Sequence, residues 1–169
     1  PARNLKKFKE VLLYLLGKVG AKPNIGETVI YKLLYFIDFN YYEKYEEQLI
    51  GVRYIKNHHG PTPVEFQAIV KDMIEKKELE AVSSKYFQRA QRKYLPHREP
   101  DLSVLNANEI KMIDEVLSKL SDMNAACISA YSHHDVPWIT TPEGKVIDYE
   151  SVFYRTPEYS VRSYDNGLS

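Results

Sequence analysis

Ile30-Tyr31-Lys32-Leu33-Leu34-Tyr35-Phe36-Ile37-Asp38-Phe39-Asn40-Tyr41 is the stretch that decides the fold. Ile30, Leu33, Leu34, Ile37 and Tyr41 recur at helical spacing, while Tyr31, Tyr35 and Phe36 make the remaining faces apolar too. A helix that is apolar nearly all round has no face to offer water and belongs in the middle of its domain.

The flanking segments supply its cover. Upstream, Leu5, Phe8, Leu12, Leu15, Leu16 and Val19 repeat at helical spacing between Lys6, Lys7, Lys9 and Lys18, an amphipathic helix with a basic outer face. Gly20 to Gly26, with Pro23 and Asn24, reads as a loop. Downstream, Leu49 to Lys56 lacks a helical period and reads as a short strand. His58-His59-Gly60-Pro61 then breaks the chain, and Thr62-Pro63-Val64-Glu65 has the chemistry of a helix start: Thr62 as cap, Pro63 in the first turn, Glu65 completing a capping box. Phe66, Ile69, Val70, Met73 and Ile74 form the buried face of that helix.

Leu79 to Val82 and Tyr86 to Leu95 read as two arms of a hairpin joined around Ser83-Ser84-Lys85. Pro96 to Ser103 is a polar connector. Asn106 with Glu109 opens a helix through Ile110, Ile113, Val116, Leu117 and Leu120, and Asn124 caps a shorter one through Ala125 to Tyr131. Beyond Ser132 the prolines allow one short helix, from Tyr149 to Tyr154. The expected fold class is therefore mainly α: a compact helical domain around a central apolar helix, with a small antiparallel β element. It occupies 1–154 as a single domain, and 155–169 is read as a polar, mobile tail.

Composition narrows the function classes. At 169 residues and 44% hydrophobic content the chain fits one domain with a real core. Lys+Arg and Asp+Glu are both 23, so no excess positive field exists to hold DNA or anionic lipid. Apolar runs such as Val11 to Leu16 are too short to span a bilayer. The single cysteine, Cys127, excludes an internal disulfide and any zinc site built from clustered thiolates. It lies beside Ala126 and Ile128 on an expected apolar helix face, where a thiol is an inert packing group. The 14 tyrosines against 6 phenylalanines and 1 tryptophan suit a half-buried contact surface. The chain opens at Pro1 with no signal-like segment, which points to the cytoplasm and to a processed start or a domain taken from a longer protein.

His58-His59 and His133-His134-Asp135 invite a metal site, but neither pair has the i, i+4 spacing that puts two imidazoles on one helix face. No Gly-x-Ser-x-Gly elbow, phosphate-cradling glycine loop or dinucleotide fingerprint occurs. Arg89, Arg92 and Lys93 on the expected hairpin suggest a winged-helix layout, and the neutral charge and the wholly apolar central helix argue against it.

Three segments together carry a resemblance: Tyr31-Lys32-Leu33-Leu34-Tyr35-Phe36-Ile37-Asp38, Tyr54-Ile55-Lys56-Asn57-His58-His59-Gly60-Pro61 and Ser132-His133-His134-Asp135-Val136-Pro137-Trp138. In this order they resemble the Panacea domain, also called SocA-like, with its Lys-Leu-Leu-Tyr-Phe helix, Gly-Pro helix entry after a short strand, and late Ser/Thr-His segment running into Pro-Trp. The likeness runs from about Ile30 to Tyr154. His59, as a second histidine before Gly60, and the stretch Tyr41-Tyr42-Glu43-Lys44-Tyr45 depart from the commoner pattern.

The resemblance implies an antitoxin-like module of bacteria and their phages that neutralises a co-encoded toxin by direct protein contact. It implies no catalysis, no cofactor and no metal. The expected partner is a cognate toxin protein, with homodimerisation also open, and with no membrane contact and no nucleic acid through this domain. Some family members act in regulation or protein degradation, which leaves an adaptor reading: the chain presents a bound protein to a protease or chaperone, with Arg155 to Ser169 as handle. A metal-dependent enzyme using His58 and His133 is the remaining alternative. Tyr35, His58, Gly60, Pro61, His133 and Trp138 are the candidate residues, serving either as partner contacts or as an internal joint between the strand turn and the last segment. Trp138 is expected to dock on the core.

Overall fold

Helix α2, Glu27–Tyr45, is the axis of the molecule, buried along almost its whole length from Val29 to Glu43. The structure, a computed structural model, describes residues 5–164. Helix α1 (Leu5–Val19) buries Phe8, Val11, Leu12, Leu15 and Leu16, and it packs on α3 (Phe66–Glu75) and α4 (Ala107–Leu120). Helix α4 also packs on α2, as do α5 (Ala125–His133) and the 3-10 turns of Tyr149–Tyr154. The short helix α6, Val136–Ile139, follows α5 directly. The class is mainly α, with two antiparallel sheets of two strands each.

Two helix starts follow the sequence chemistry. The Asn106 side chain accepts from Glu109 N–H at 2.8 Å while the Glu109 carboxylate accepts from Asn106 N–H at 2.8 Å, a complete capping box. Asn124 caps α5 through Cys127 N–H at 2.8 Å.

The third start differs from expectation. Gly60–Pro63 is strand β2, paired antiparallel with β1 (Tyr54–Asn57), and α3 begins at Phe66 with no side-chain cap. The ladder overrides the capping pattern because it can accept both prolines. Val64 N–H bonds to Arg53 C=O at 2.9 Å, which puts the hydrogen-bonding positions at even numbers and leaves Pro61 and Pro63 on odd ones, where no ladder donor is lost. Thr62, the expected cap, instead donates its hydroxyl to Gly60 C=O at 3.3 Å. The outer edge of β1 is covered by 144–147: Lys56 N–H bonds to Lys145 C=O, Gly144 N–H to Lys56 C=O, and Ile147 N–H to Tyr54 C=O.

The hairpin is β3 (Leu79–Tyr86) and β4 (Arg89–Pro96), turning at Phe87-Gln88. Ser83-Ser84-Lys85, expected as the turn, lies within β3 opposite Ala90 to Arg92. Solvent-facing polar residues are tolerated in an exposed ribbon, so they carry no turn signal by themselves. Cys127 is exposed, contrary to its expected burial, because α5 turns Ile128 and Ser132 inward.

The segment expected to begin a mobile tail is packed on the domain as far as Tyr164. Arg155 and Tyr159 are buried, Tyr159 OH donates to Tyr131 C=O at 2.8 Å, and Val161 N–H and Tyr164 OH donate to the buried Glu43 carboxylate at 3.1 and 2.8 Å. A carboxylate inside the domain needs donors, and this segment supplies them. The last part of the expected tail, 165–169, lies outside the described residues.

Candidate functional site

Three charged side chains of α2 are buried, and each is treated differently. Asp38 accepts Ile50 N–H at 2.7 Å, Gly51 N–H at 3.1 Å and Tyr54 OH at 2.6 Å, so it folds the chain after α2 back onto the helix. Glu43 is paired with Arg155 at 3.1 Å. Lys32 is only 2% exposed, and among the described residues it has neither a hydrogen bond nor an ion pair. Burial alone pulls its ammonium down to about 8.

Tyr35, one turn beyond Lys32, is wholly buried. Its OH donates to Asp135 Oδ2 at 2.8 Å, and Arg155 bonds the same carboxylate. Burial, then the Asp135 charge, hold the Tyr35 phenol well above its ordinary range. Tyr35 therefore ties α2 to the segment between α5 and α6 and to the chain after Tyr154.

The other candidate residues fall on one side of that tie. Pro61 and Gly60 are buried in β2, beside Lys32. Gly60 has φ +140, and a Cβ there would overlap Lys32 Cε, lying 3.1 Å from Nζ and 3.5 Å from Ser132 Oγ. The His133 ring stacks on Trp138 with centroids 4.6 Å apart and planes 16° from parallel. Trp138 is 7% exposed and belongs to the core cluster. Lys56 reaches across from β1, its Nζ 4.8 Å from the Trp138 ring centroid and donating to Trp138 C=O at 2.9 Å. Gly60, Pro61, His133 and Trp138 thus meet around Lys32 and Lys56. His58 does not join them: it is exposed on the β1–β2 turn, in edge contact with His59 at 4.8 Å.

His133 Nε2 is buried and makes no hydrogen bond of good geometry among the described residues, and the His59 backbone lies close enough to act on the ring. Burial, then the nearby Lys32 charge, lower the imidazole from its ordinary value, while the His59 backbone pulls the other way. Lys32, Ser132 and Lys56 were missed as site residues by sequence reasoning. Lys32 had a signal, being a lone cation in a helix with no polar face; Asp135 stood inside the Ser132–Trp138 motif with nothing to mark its partner, and Arg155 had no signal.

A groove of about 560 Å³ opens beside this cluster. Gly26 to Val29 of the α2 start, His59, Ala125, Ala126 and Ser129 of α5, and Tyr86 with Arg89 to Arg92 of the hairpin line it. Lys93 Nζ ties the hairpin to the preceding loop through Lys22 and Ile25 carbonyls at 2.8 and 2.9 Å. At the hairpin tip Phe87 is 81% exposed. A larger groove of about 750 Å³ between α1 and α3 has internally paired charges, with Lys9 on Asp72 and Arg98 bidentate on Glu10.

Chemically the cluster is cationic and rigid. Ser132 Oγ donates to Ser129 C=O at 2.8 Å, a helix-internal bond. Among the described residues no three His, Cys, Asp or Glu side chains lie close enough to share a metal ion. Among the described residues no helix is long and apolar enough to cross a membrane.

A family model described as the antitoxin SocA-like, Panacea domain matches residues 30–139, about two thirds of the chain. No curated protein and no solved structure matches.

Proposed function

The chain belongs to the SocA-like Panacea family of antitoxins, and from that premise we propose that it neutralises a co-encoded protein toxin by direct contact in the cytoplasm, without modifying it. The observation that carries this reading is the family match across 30–139, which takes in α2 from Ile30 onward, both sheets and Trp138.

Two features of the surface support it. The hairpin holds Phe87 out in water beside a groove whose walls include Arg89, Arg92 and His59, an aromatic anchor next to a polar rim. The balanced charge gives no general hold on nucleic acid. In this reading Phe87 and the groove rim, with His58 near it, meet the partner. Tyr35, Gly60, Pro61 and Trp138 are the joint that holds the rim in place, because Tyr35 is fully buried and the other three are nearly so. The adaptor alternative loses most of its handle, since 155–164 is anchored through Arg155 and Tyr159.

The test is co-expression with the product of the adjacent gene, scoring host growth and copurification. Growth rescue with a stable complex is the expected result. A neighbouring product that is not toxic, or a toxic one that is neither bound nor neutralised, overturns the reading.

A further inference from the structure

We propose that the outer edge of β3, from Ala81 to Lys85, is a docking edge that takes an acidic, extended polypeptide segment as a third strand. The register of the hairpin shows which groups that edge presents. His97 N–H bonds to Glu78 C=O at 2.8 Å, one step beyond the Leu79↔Pro96 pair, so the even positions of β3 bond across to β4. The odd positions, Ala81, Ser83 and Lys85, turn their N–H and C=O groups away from β4, and Pro96 stands opposite Leu79, where β4 needs no donor. Among the described residues these outward groups of Ala81, Ser83 and Lys85 have no hydrogen-bond partner.

Comparable edges elsewhere in the molecule are covered. The outer edge of β1 is closed by 144–147. Strand β4 is tied to 22–27 from both faces of the ribbon: Gln91 and Lys93 reach the Pro23, Lys22 and Ile25 carbonyls from one face, and Arg92 and Tyr94 reach Glu27 from the other. On β3 the usual protections are missing. Its pairing runs from Leu79 to Tyr86 without a bulge or a proline, and Lys85 is the one charge at an outward position. Ser83 and Lys85 are exposed and Ala81 is half-buried, so a strand can reach the edge.

Charge selects the occupant. Residues 81–96 carry Lys85, Arg89, Arg92 and Lys93 and no carboxylate, in a chain whose charges balance overall. Lys85 and Arg92 lie on one face of the ribbon and Arg89 and Lys93 on the other, so acidic side chains on either face of an added strand are attracted. A second copy of the same edge would bring the same four cations and be repelled. The alternating donors and acceptors match a polypeptide backbone, whereas phosphates offer acceptors only and have no use for the C=O groups. At the tip, Tyr86 and Phe87 stand in edge contact with centroids 4.6 Å apart, a ring pair on which an apolar residue of the segment can pack.

The source of the segment, the toxin, rests on the neutralisation reading; the edge itself is tested without it. Amide hydrogen exchange and NMR of the full chain are followed with an acetylated, amidated peptide of alternating Glu and Val, and separately in the complex with the product of the adjacent gene. The expected result is saturable binding of the Glu/Val peptide with protection of the Ala81, Ser83 and Lys85 amides, and no binding of the matching Lys/Val peptide. Ser83→Pro deletes an outward N–H without touching a ladder bond, so it should keep the hairpin and bind about tenfold more weakly or worse, while Ser83→Val, which keeps the N–H, binds as wild type. Lys85→Glu leaves the backbone alone and should also weaken the peptide. No saturable binding of the Glu/Val peptide, or unchanged binding by folded Ser83→Pro, overturns the proposal. So does protection of these amides in the free chain as its concentration rises, which gives the edge to a second copy, or saturation of the hairpin by duplex DNA in place of the peptide. Peptide binding with no complex from the neighbouring gene overturns the toxin reading alone, and a toxin complex that leaves these amides exchanging freely keeps neutralisation and overturns the strand docking.

Discussion

Arg155 closes on Asp135 with two parallel hydrogen bonds, Nε to Oδ1 at 2.9 Å and Nη2 to Oδ2 at 2.8 Å, and neither side chain meets solvent. The same guanidinium reaches Asn40 at 2.8 Å and Glu43 at 3.1 Å through Nη1, and Tyr35 OH completes the Asp135 carboxylate. Burial works against the Arg155 charge, and Asp135 together with Glu43 outweighs it. One side chain from the end of the domain thereby satisfies two carboxylates from distant segments, which is the geometry that arginine's planar fork allows and lysine's point charge does not.

Replacing that fork leaves two buried carboxylates short of a partner. Arg155→Met is therefore expected to destabilise the domain by about 3–5 kcal/mol, the cost of breaking a buried pair on one side. Urea denaturation followed by circular dichroism measures it. A loss below about 1 kcal/mol would show that water reaches the carboxylates and that the joint is not structural.

The helical frame was legible because it is written in local chemistry: the period of α1 and α4, the Asn106 and Asn124 caps, and the apolar girth of α2. What could not be read was decided by distant partners. Thr62-Pro63 carries a local helix-start pattern, yet β1 claims its backbone. Asp135 and Arg155 are 20 positions apart and show no spacing rule, so only the folded chain reveals them as a pair. The same holds for the site: Gly60, His133 and Trp138 stood out as motif residues, and Lys32 stood out as a lone cation in an apolar helix, but only the folded chain shows that it is buried beside Gly60.

Asp38 sets a pH dependence. Burial pushes its carboxyl up from 3.8 to about 6, with Tyr54 OH and the Ile50 and Gly51 N–H groups pulling the other way. The native state thus holds the proton more tightly than the unfolded chain does. Its contribution to stability is full below the unfolded value and is lost as pH rises through about 6. Asp38→Asn cannot titrate, so its stability relative to wild type is expected to improve from about pH 4 to pH 6. Denaturation midpoints of the two proteins across that range check it, and parallel profiles would refute the assigned burial.

Gly60 makes a prediction of the opposite kind, steric rather than electrostatic. Gly60→Ala adds a Cβ at φ +140 and against Lys32 Cε, and it should cost about 1–3 kcal/mol. Lys32→Ala removes the overlap but not the backbone strain. The double variant should therefore be less destabilised than the sum of the two, with part of the cost remaining. Strict additivity in a double-mutant cycle would show that the two residues do not touch.

The hairpin tip links strain to the proposed contact surface. Phe87 and Gln88 both have positive φ, 49 and 66, as a two-residue hairpin turn demands, in residues that carry a Cβ. Each such residue costs about 1 kcal/mol, and Asn-Gly would fill the turn without that cost. Replacing Phe87-Gln88 by Asn-Gly is thus expected to stabilise the hairpin by about 1–2 kcal/mol while removing the most exposed aromatic ring on the molecule's described surface. If Phe87 is a contact residue, the variant should be more stable and yet lose copurification with the toxin and growth rescue. A variant that gains stability and keeps full neutralisation would move the contact surface away from the hairpin, because local strain retained at an exposed tip would then have no binding role to explain it.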